Sequence, residues 1–166
     1  MIFQYRDDRP ELASGVKVFP GAVVAGAVRC DEFVNIWYNA VVRGDMAPVT
    51  IGRNTNIQDN AVIHTNTGLP TLIGANVTVG HGAIIHAATI GDDALIGMGA
   101  VILDGAIVET QALVAAGCVV PPGKTIPAGM LAVGNPAKVV RPLTPAEIEA
   151  NRQNAATYVK MANAYE

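Results

Sequence analysis

The 166-residue chain carries 11 basic and 14 acidic residues, a net charge of −3. So mild a balance leaves no electrostatic footprint for nucleic acid or an anionic membrane, and neither is expected as a partner. Hydrophobic residues make up 51% of the chain and aromatic ones only 5%, with 17 glycines, a composition that favours a core of small β-branched side chains over a helical bundle.

Read from the N-terminus, Met1-Ile2-Phe3-Gln4-Tyr5-Arg6 has neither the basic start nor the apolar stretch of a signal peptide. The apolar runs further on are far shorter than the ~18–20 residues that span a bilayer. Cys30 and Cys118 form no CxxC pair and read as buried free thiols of a reducing cytoplasm. A cytoplasmic protein is expected.

From Val16 an apolar series begins: Val16, Ala22, Val28, Val34, Ala40, Met46, then Ile51, Ile57, Ile63, Ile73, Val79, Ile85, Ile90, Ile96, Ile102, and finally Ile107, Leu113, Val119, Ile126, Ala132. Most steps are six residues. A second small residue recurs four places after many of these anchors, at Thr55, Ala61, Thr67, Val77, Ala83, Ala94, Ala100 and Ala106. That residue and the next anchor are two apart, so both point to one side of an extended strand. A period of six fits neither a helix nor one long strand. It predicts short strands separated by tight corners and wound into a prism, with glycines such as Gly52, Gly74 and Gly80 easing the corners.

This pattern resembles the hexapeptide repeat of left-handed parallel β-helix proteins. The resemblance implies three hexapeptides per triangular coil, six to seven coils, and the left hand, since general chirality favours right-handed crossovers. The expected fold is therefore an all-β solenoid over residues 1–143, with repeats from about 16 to 137. The ten-residue step from Ile63 to Ile73 predicts a loop from Thr65 to Leu72. Pro121-Pro122-Gly123 and Gly134-Asn135-Pro136 mark the end of the solenoid. Thr144-Pro145-Ala146-Glu147 reads as a capping box with Pro at the first helical position. It opens a C-terminal helix over 144–166 whose stripe of Ile148, Ala155, Tyr158, Val159, Ala162 and Tyr165 packs on the solenoid or on a neighbouring subunit.

The three histidines, His64, His81 and His86, lie within one short stretch. His64 and His86 each follow an anchor, three repeat units apart, so they stack on adjacent coils about 4.8 Å apart. Two imidazoles at that spacing can share one metal ion. His81 follows its anchor by two and sits around a corner. One chain does not bring the three together, but a threefold ring of chains can, with His81 supplied by the neighbour. Outward histidines also line ordinary wet surfaces, and that reading stays open. Counting offsets in the same way aligns Arg43, Asp59 and His81 along one edge, which predicts an Arg43–Asp59 pair that stiffens the interface or supports the site from outside.

Val42-Arg43-Gly44-Asp45, Asn56-Ile57-Gln58-Asp59 and the run from Val79 to His86 resemble the signatures of gamma-class carbonic anhydrases, over nearly the whole chain. The resemblance implies that His64, His81 and His86 ligate zinc, with iron(II) or cobalt(II) also acceptable, and that a metal-bound hydroxide converts carbon dioxide to bicarbonate at the interfaces of a homotrimer. It implies that Gln58 orients the hydroxide, that Arg43, Asp45 and Asp59 shape interface and pocket, and that Tyr158 approaches the site from the helix. Tyr158 reads equally as a packing residue. Met46 stands where the archetype has a Glu, and Thr65 to Leu72 holds no carboxylate, so proton export is expected to be slower or to use buffer. The rival readings are an acyl-CoA-handling acyltransferase or thioesterase on the same solenoid, for which a single histidine suffices, and a non-catalytic trimeric scaffold.

Overall fold

The computed structural model describes residues 1–165. Seven parallel strands stacked in register, from Lys17–Val18 through Asn35–Ile36, Asn56–Ile57, Thr78–Val79, Leu95–Ile96 and Leu113–Val114 to Met130–Val133, mark seven coils of a parallel β-helix. Each coil adds a strand to three faces. The core is a column of fully buried Ile and Val: Ile36, Ile57, Val79, Ile96 and Val114 on this face, Val42, Ile63, Ile85, Ile102 and Val120 on the next, and Ile51, Ile90 and Val108 on the third. Small residues such as Ala61, Ala83, Ala94, Ala100 and Ala106 fill the corners. Each fully buried Ile or Val contributes roughly 1.5–3 kcal/mol. The column therefore stabilises the prism along its whole length.

The period of six is right, but its phase differs from the sequence reading at both ends. Ala22, Val28, Val34 and Ala40 point inward as the small residues two places before the strand anchors Val24, Cys30, Ile36 and Val42. Met46 is exposed in a strand that bends around a corner, Val41–Ile51. Near the other end Ile107, Leu113 and Val119 face outward and Val108, Val114 and Val120 are the core. Thr67 is exposed, and Thr71 takes the small inward place. The loop is shorter than expected, because Thr71 and Leu72 already belong to strand Thr71–Ile73.

With the phase corrected, the anchor series departs from steps of six in only three places: Val42 to Ile51, Ile63 to Ile73, and Ile85 to Ile90. All three follow strands that pair directly, Val42 with Ile63 and Ile63 with Ile85. The irregular turns therefore stack at a single corner of the prism. Elsewhere close stacking holds the corners: a Cβ on Gly80 would lie 2.7 Å from the backbone nitrogen of Met98 in the next coil.

Both ends are capped. Ile2–Phe3 and Glu11–Leu12 pair along strand Val23–Cys30, and Lys138–Pro142 folds back antiparallel on Met130–Val133. Helix α1 (Pro145–Ala164) starts at the capping box: the Thr144 hydroxyl accepts from the Glu147 N–H and the Glu147 carboxylate accepts from the Thr144 N–H. It packs on its own chain, against the face of Asn35, Asn56 and Thr78. Asn151, Ala155 and Ala162 are its buried residues, while Tyr158 meets Trp37 edge-on at 5.4 Å and Arg152 pairs with Asp93 at 3.0 Å. Among the described residues no helix is long and apolar enough to cross a membrane.

Candidate metal centre

His64 ends strand Val62–His64 and His86 ends strand Ile84–His86, in direct register. Both lie at the corner where the repeat is broken three times, which is what gives their side chains room to turn outward. His64 Nδ1 and His86 Nε2 are 3.2 Å apart. The other ring nitrogen of each is held by a carboxylate. His64 Nε2 meets Asp45 Oδ1 at 2.9 Å, and His86 Nδ1 meets Asp104. Asp45 also takes a hydrogen bond from Arg43.

The charge states follow. Partial burial pushes the Asp45 carboxyl up, but hydrogen bonds from His64 and Arg43, with the Arg43 charge, more than offset it and leave it below the ordinary carboxylate value. Hydrogen bonds from Asn66 and His86 likewise hold Asp104 low. Both carboxylates are ionised at neutral pH, so the ring nitrogen facing each carries the proton. In the neutral form of each ring, His64 Nδ1 and His86 Nε2 are then the nitrogens left to accept, and they face one another. At 3.2 Å the two nitrogens either share a proton in an N–H···N hydrogen bond or, with both rings neutral, flank a cation. Two nitrogens on one tetrahedral ion at ~2.0–2.1 Å would sit roughly 3.3 Å apart, so the pair fits a metal.

His81 occupies the preceding corner. Its Nδ1 meets Asp59 Oδ2 at 2.9 Å, and its Nε2 lies 3.5 Å from the Tyr158 hydroxyl. Its backbone is fixed by the buried Gln58, whose Oε1 accepts from the His81 N–H at 3.1 Å while its Nε2 donates to Asn56 Oδ1 at 3.0 Å. Asn56 in turn donates to Thr78 Oγ1 at 3.0 Å. Burial first, then the Asp59 charge, raises the Tyr158 phenol, which keeps its proton and can donate. Gln58, His81 and Tyr158 open onto a groove of about 380 Å3 between α1 and the solenoid.

All three histidines thus share one feature, a carboxylate on one ring nitrogen, the kind of partner that orients imidazoles in metal sites. Among the described residues, no group of three or more His, Cys, Asp and Glu side chains within the chain is arranged to hold an ion. His64 and His86 lie at one corner of the prism and His81 at another.

Arg43 does not lie on the Asp59 edge. Val42 is opposite Ile63, so Arg43 is opposite His64 and pairs with Asp45. The sequence count started from Ala40 when the true anchor is Val42. Two residues were missed altogether, Asp104 and the loop residue Asn66, which donates to it at 2.7 Å. The available signal for Asp104 was its place two after Ile102, one coil beyond Ile85. The same offset singles out Asp59.

A family model for bacterial transferase hexapeptide repeats (six repeats) matches residues 87–122. The chain is 42% identical over 165 residues to a carbonic anhydrase of Geobacillus kaustophilus, across 99% of this chain and 91% of that one. It is 47% identical over 162 residues to gamma carbonic anhydrase 2, mitochondrial, of Arabidopsis thaliana, across 94% of this chain and 58% of the relative. Among solved structures, a hexapeptide transferase family protein from Anaplasma phagocytophilum aligns with a TM-score of 0.96 at 36% identity, covering 100% of this chain and 98% of that one.

Proposed function

The chain belongs to the gamma-class carbonic anhydrase-like family of left-handed hexapeptide-repeat proteins, and on that premise we propose that it catalyses the reversible hydration of carbon dioxide to bicarbonate at metal sites shared between the subunits of a homotrimer. The observation that carries the reading is the set of three carboxylate-backed histidines split between two corners. His64 and His86 of one subunit with His81 of the next would hold the ion. Zinc is the default for three imidazoles, and iron(II) or cobalt(II) suits the same donors. Such an ion would lower the pKa of water from 15.7 toward ~7, so that hydroxide is available at neutral pH.

The remaining residues act around that chemistry. Asp45, Asp59 and Asp104 fix the tautomer and aim of each imidazole. Gln58 anchors the His81 backbone and keeps one amide hydrogen for the pocket, where it orients the nucleophile. Tyr158 offers a neutral O–H beside His81 to a substrate oxygen. Arg43 clamps Asp45 and reaches toward the neighbouring subunit.

The face between the two corners supports the trimer. Its outward residues in register are Val23, Val41, Val62, Ile84, Val101 and Val119. Covering them would remove the apolar surface they still expose, and a heterologous contact through this face would close a ring of three with a half-site at each edge.

Acyl transfer is the second reading, favoured by a solved Bacillus cereus structure at 39% identity named a putative acetyltransferase. One general-base histidine would suffice there, and a second, stacked and carboxylate-backed histidine facing it would serve no purpose. The deciding experiment is metal analysis of the purified protein followed by stopped-flow carbon dioxide hydration with and without chelator. Hydration that is lost on chelation and returns with zinc supports the proposal. A metal-free trimer with no hydration rejects it.

A further inference from the structure

The groove beside His81 is larger than a three-atom substrate requires. Its volume of about 380 Å3 falls in the range of ~300–1,000 Å3 typical of pockets for small organic ligands. Its walls change character along its length. The outward column on this face reads Asn35, Asn56, Thr78 in the lower coils and Leu95, Leu113, Leu131 above. The lower three are fully buried or nearly so beneath α1, with Asn56 and Thr78 hydrogen-bonded to each other. The leucines are half-buried, and Leu95 and Leu113 line the groove with Met98, opposite Asn154 and Tyr158 on one side of the helix. The change from polar to apolar falls at Gln58 and His81.

We infer that the site takes a linear carboxylate with an apolar tail, its head at His81, Gln58 and Tyr158 and its tail along Leu95, Leu113 and Met98. The head is assigned through the hydration reading, because its –CO2 group has the shape of bicarbonate; the tail rests on the groove alone. From Thr78 to Leu113 is two coil steps of about 4.8 Å, roughly 10 Å in all, which suits a chain of octanoate length.

The test is calorimetry of the zinc-loaded protein with octanoate and with acetate, alongside inhibition of hydration by each. Octanoate should bind at least about tenfold more tightly than acetate, since only its tail buries apolar surface. Leu113→Asp should bring octanoate down to the acetate level while acetate affinity, bound zinc and circular dichroism stay unchanged. Met98→Ala, at a residue 59% exposed and safe for folding, should weaken octanoate binding alone. Equal affinities for the two acids, or an octanoate preference that survives both substitutions, overturns the inference. Robust hydration without chain-length preference removes the groove and leaves the hydration reading standing. A Leu113-dependent preference in a protein that does not hydrate carbon dioxide does the reverse.

Discussion

Two faces of the same prism share their inner surface and differ on the outer one. On the helix face, Asn35, Asn56, Gln58 and Thr78 are buried under α1 and satisfied by hydrogen bonds to Trp37, to one another and to backbone. On the valine face six outward Val and Ile residues run in register from coil to coil and are half-buried or exposed, while α1 packs on the other face. The third face is mixed, with Arg29, Thr50, Leu72, Thr89, Ile107 and Thr125 in its outward column. The repeat demands only its inward residues, so the outer positions are free to record what each face meets. One face meets its own helix. The valine face carries the chemistry of an interface, with His64 and His86 at one edge and His81 at the other.

The most severe way to break this comparison is to divide the ligand set. His64→Ala, His81→Ala and His86→Ala should each abolish hydration and sharply reduce bound metal, because two imidazoles hold zinc poorly. The core contains none of the three, so the solenoid should stay folded. Mixed trimers of His64→Ala and His81→Ala subunits should recover activity at boundaries where intact His81 meets intact His64 and His86. Mixed trimers that form and recover neither metal nor activity would end the shared-site proposal.

A charge on each face comes next. Ile84→Asp buries a carboxylate in the proposed interface and should yield monomers with little bound metal by sedimentation, whereas Thr89→Asp on the mixed face should leave the trimer intact. Equal behaviour of the two would remove the valine face as the contact. A milder cut spares the ligands. Asp59→Ala and Asp104→Ala should each weaken zinc binding about 10–100-fold, measured by chelator competition, with Glu32→Ala as an exposed control that changes nothing.

Smaller effects belong to the helix face. Tyr158→Phe removes one hydroxyl near His81 and keeps the ring against Trp37. A hydrogen bond of about 0.5–1.5 kcal/mol predicts a two- to tenfold fall in kcat/KM with the melting temperature unchanged; an unchanged rate would make Tyr158 a packing residue only. The smallest effect concerns the helix start. The Arg141 fork, then the Thr144 N–H, lowers Glu147 to about 2 from an ordinary 4.5. Its contribution is complete above pH 4.5 and disappears as pH falls through about 2. Helicity followed by circular dichroism should decline over that window in the native chain, and Glu147→Gln should flatten that dependence.

The sequence alone carried the solenoid, because a period of six with paired small and β-branched residues has few other physical solutions. It also carried the helix start, since a capping box is local chemistry. His64 and His86 were legible as a stacked pair, being separated by whole repeat units. Phase was not legible: with apolar residues on both sides of strands such as Ile107–Val108 and Leu113–Val114, hydropathy does not say which side is inner. That misphasing put Arg43 on the Asp59 edge. Only the folded chain gave Arg43 to Asp45, brought Asp104 and Asn66 to His86, and set the valine face against the helix face. Inward positions obey a repeat that local spacing records, whereas side-chain partners outside it depend on how strands many residues apart come into register around irregular turns.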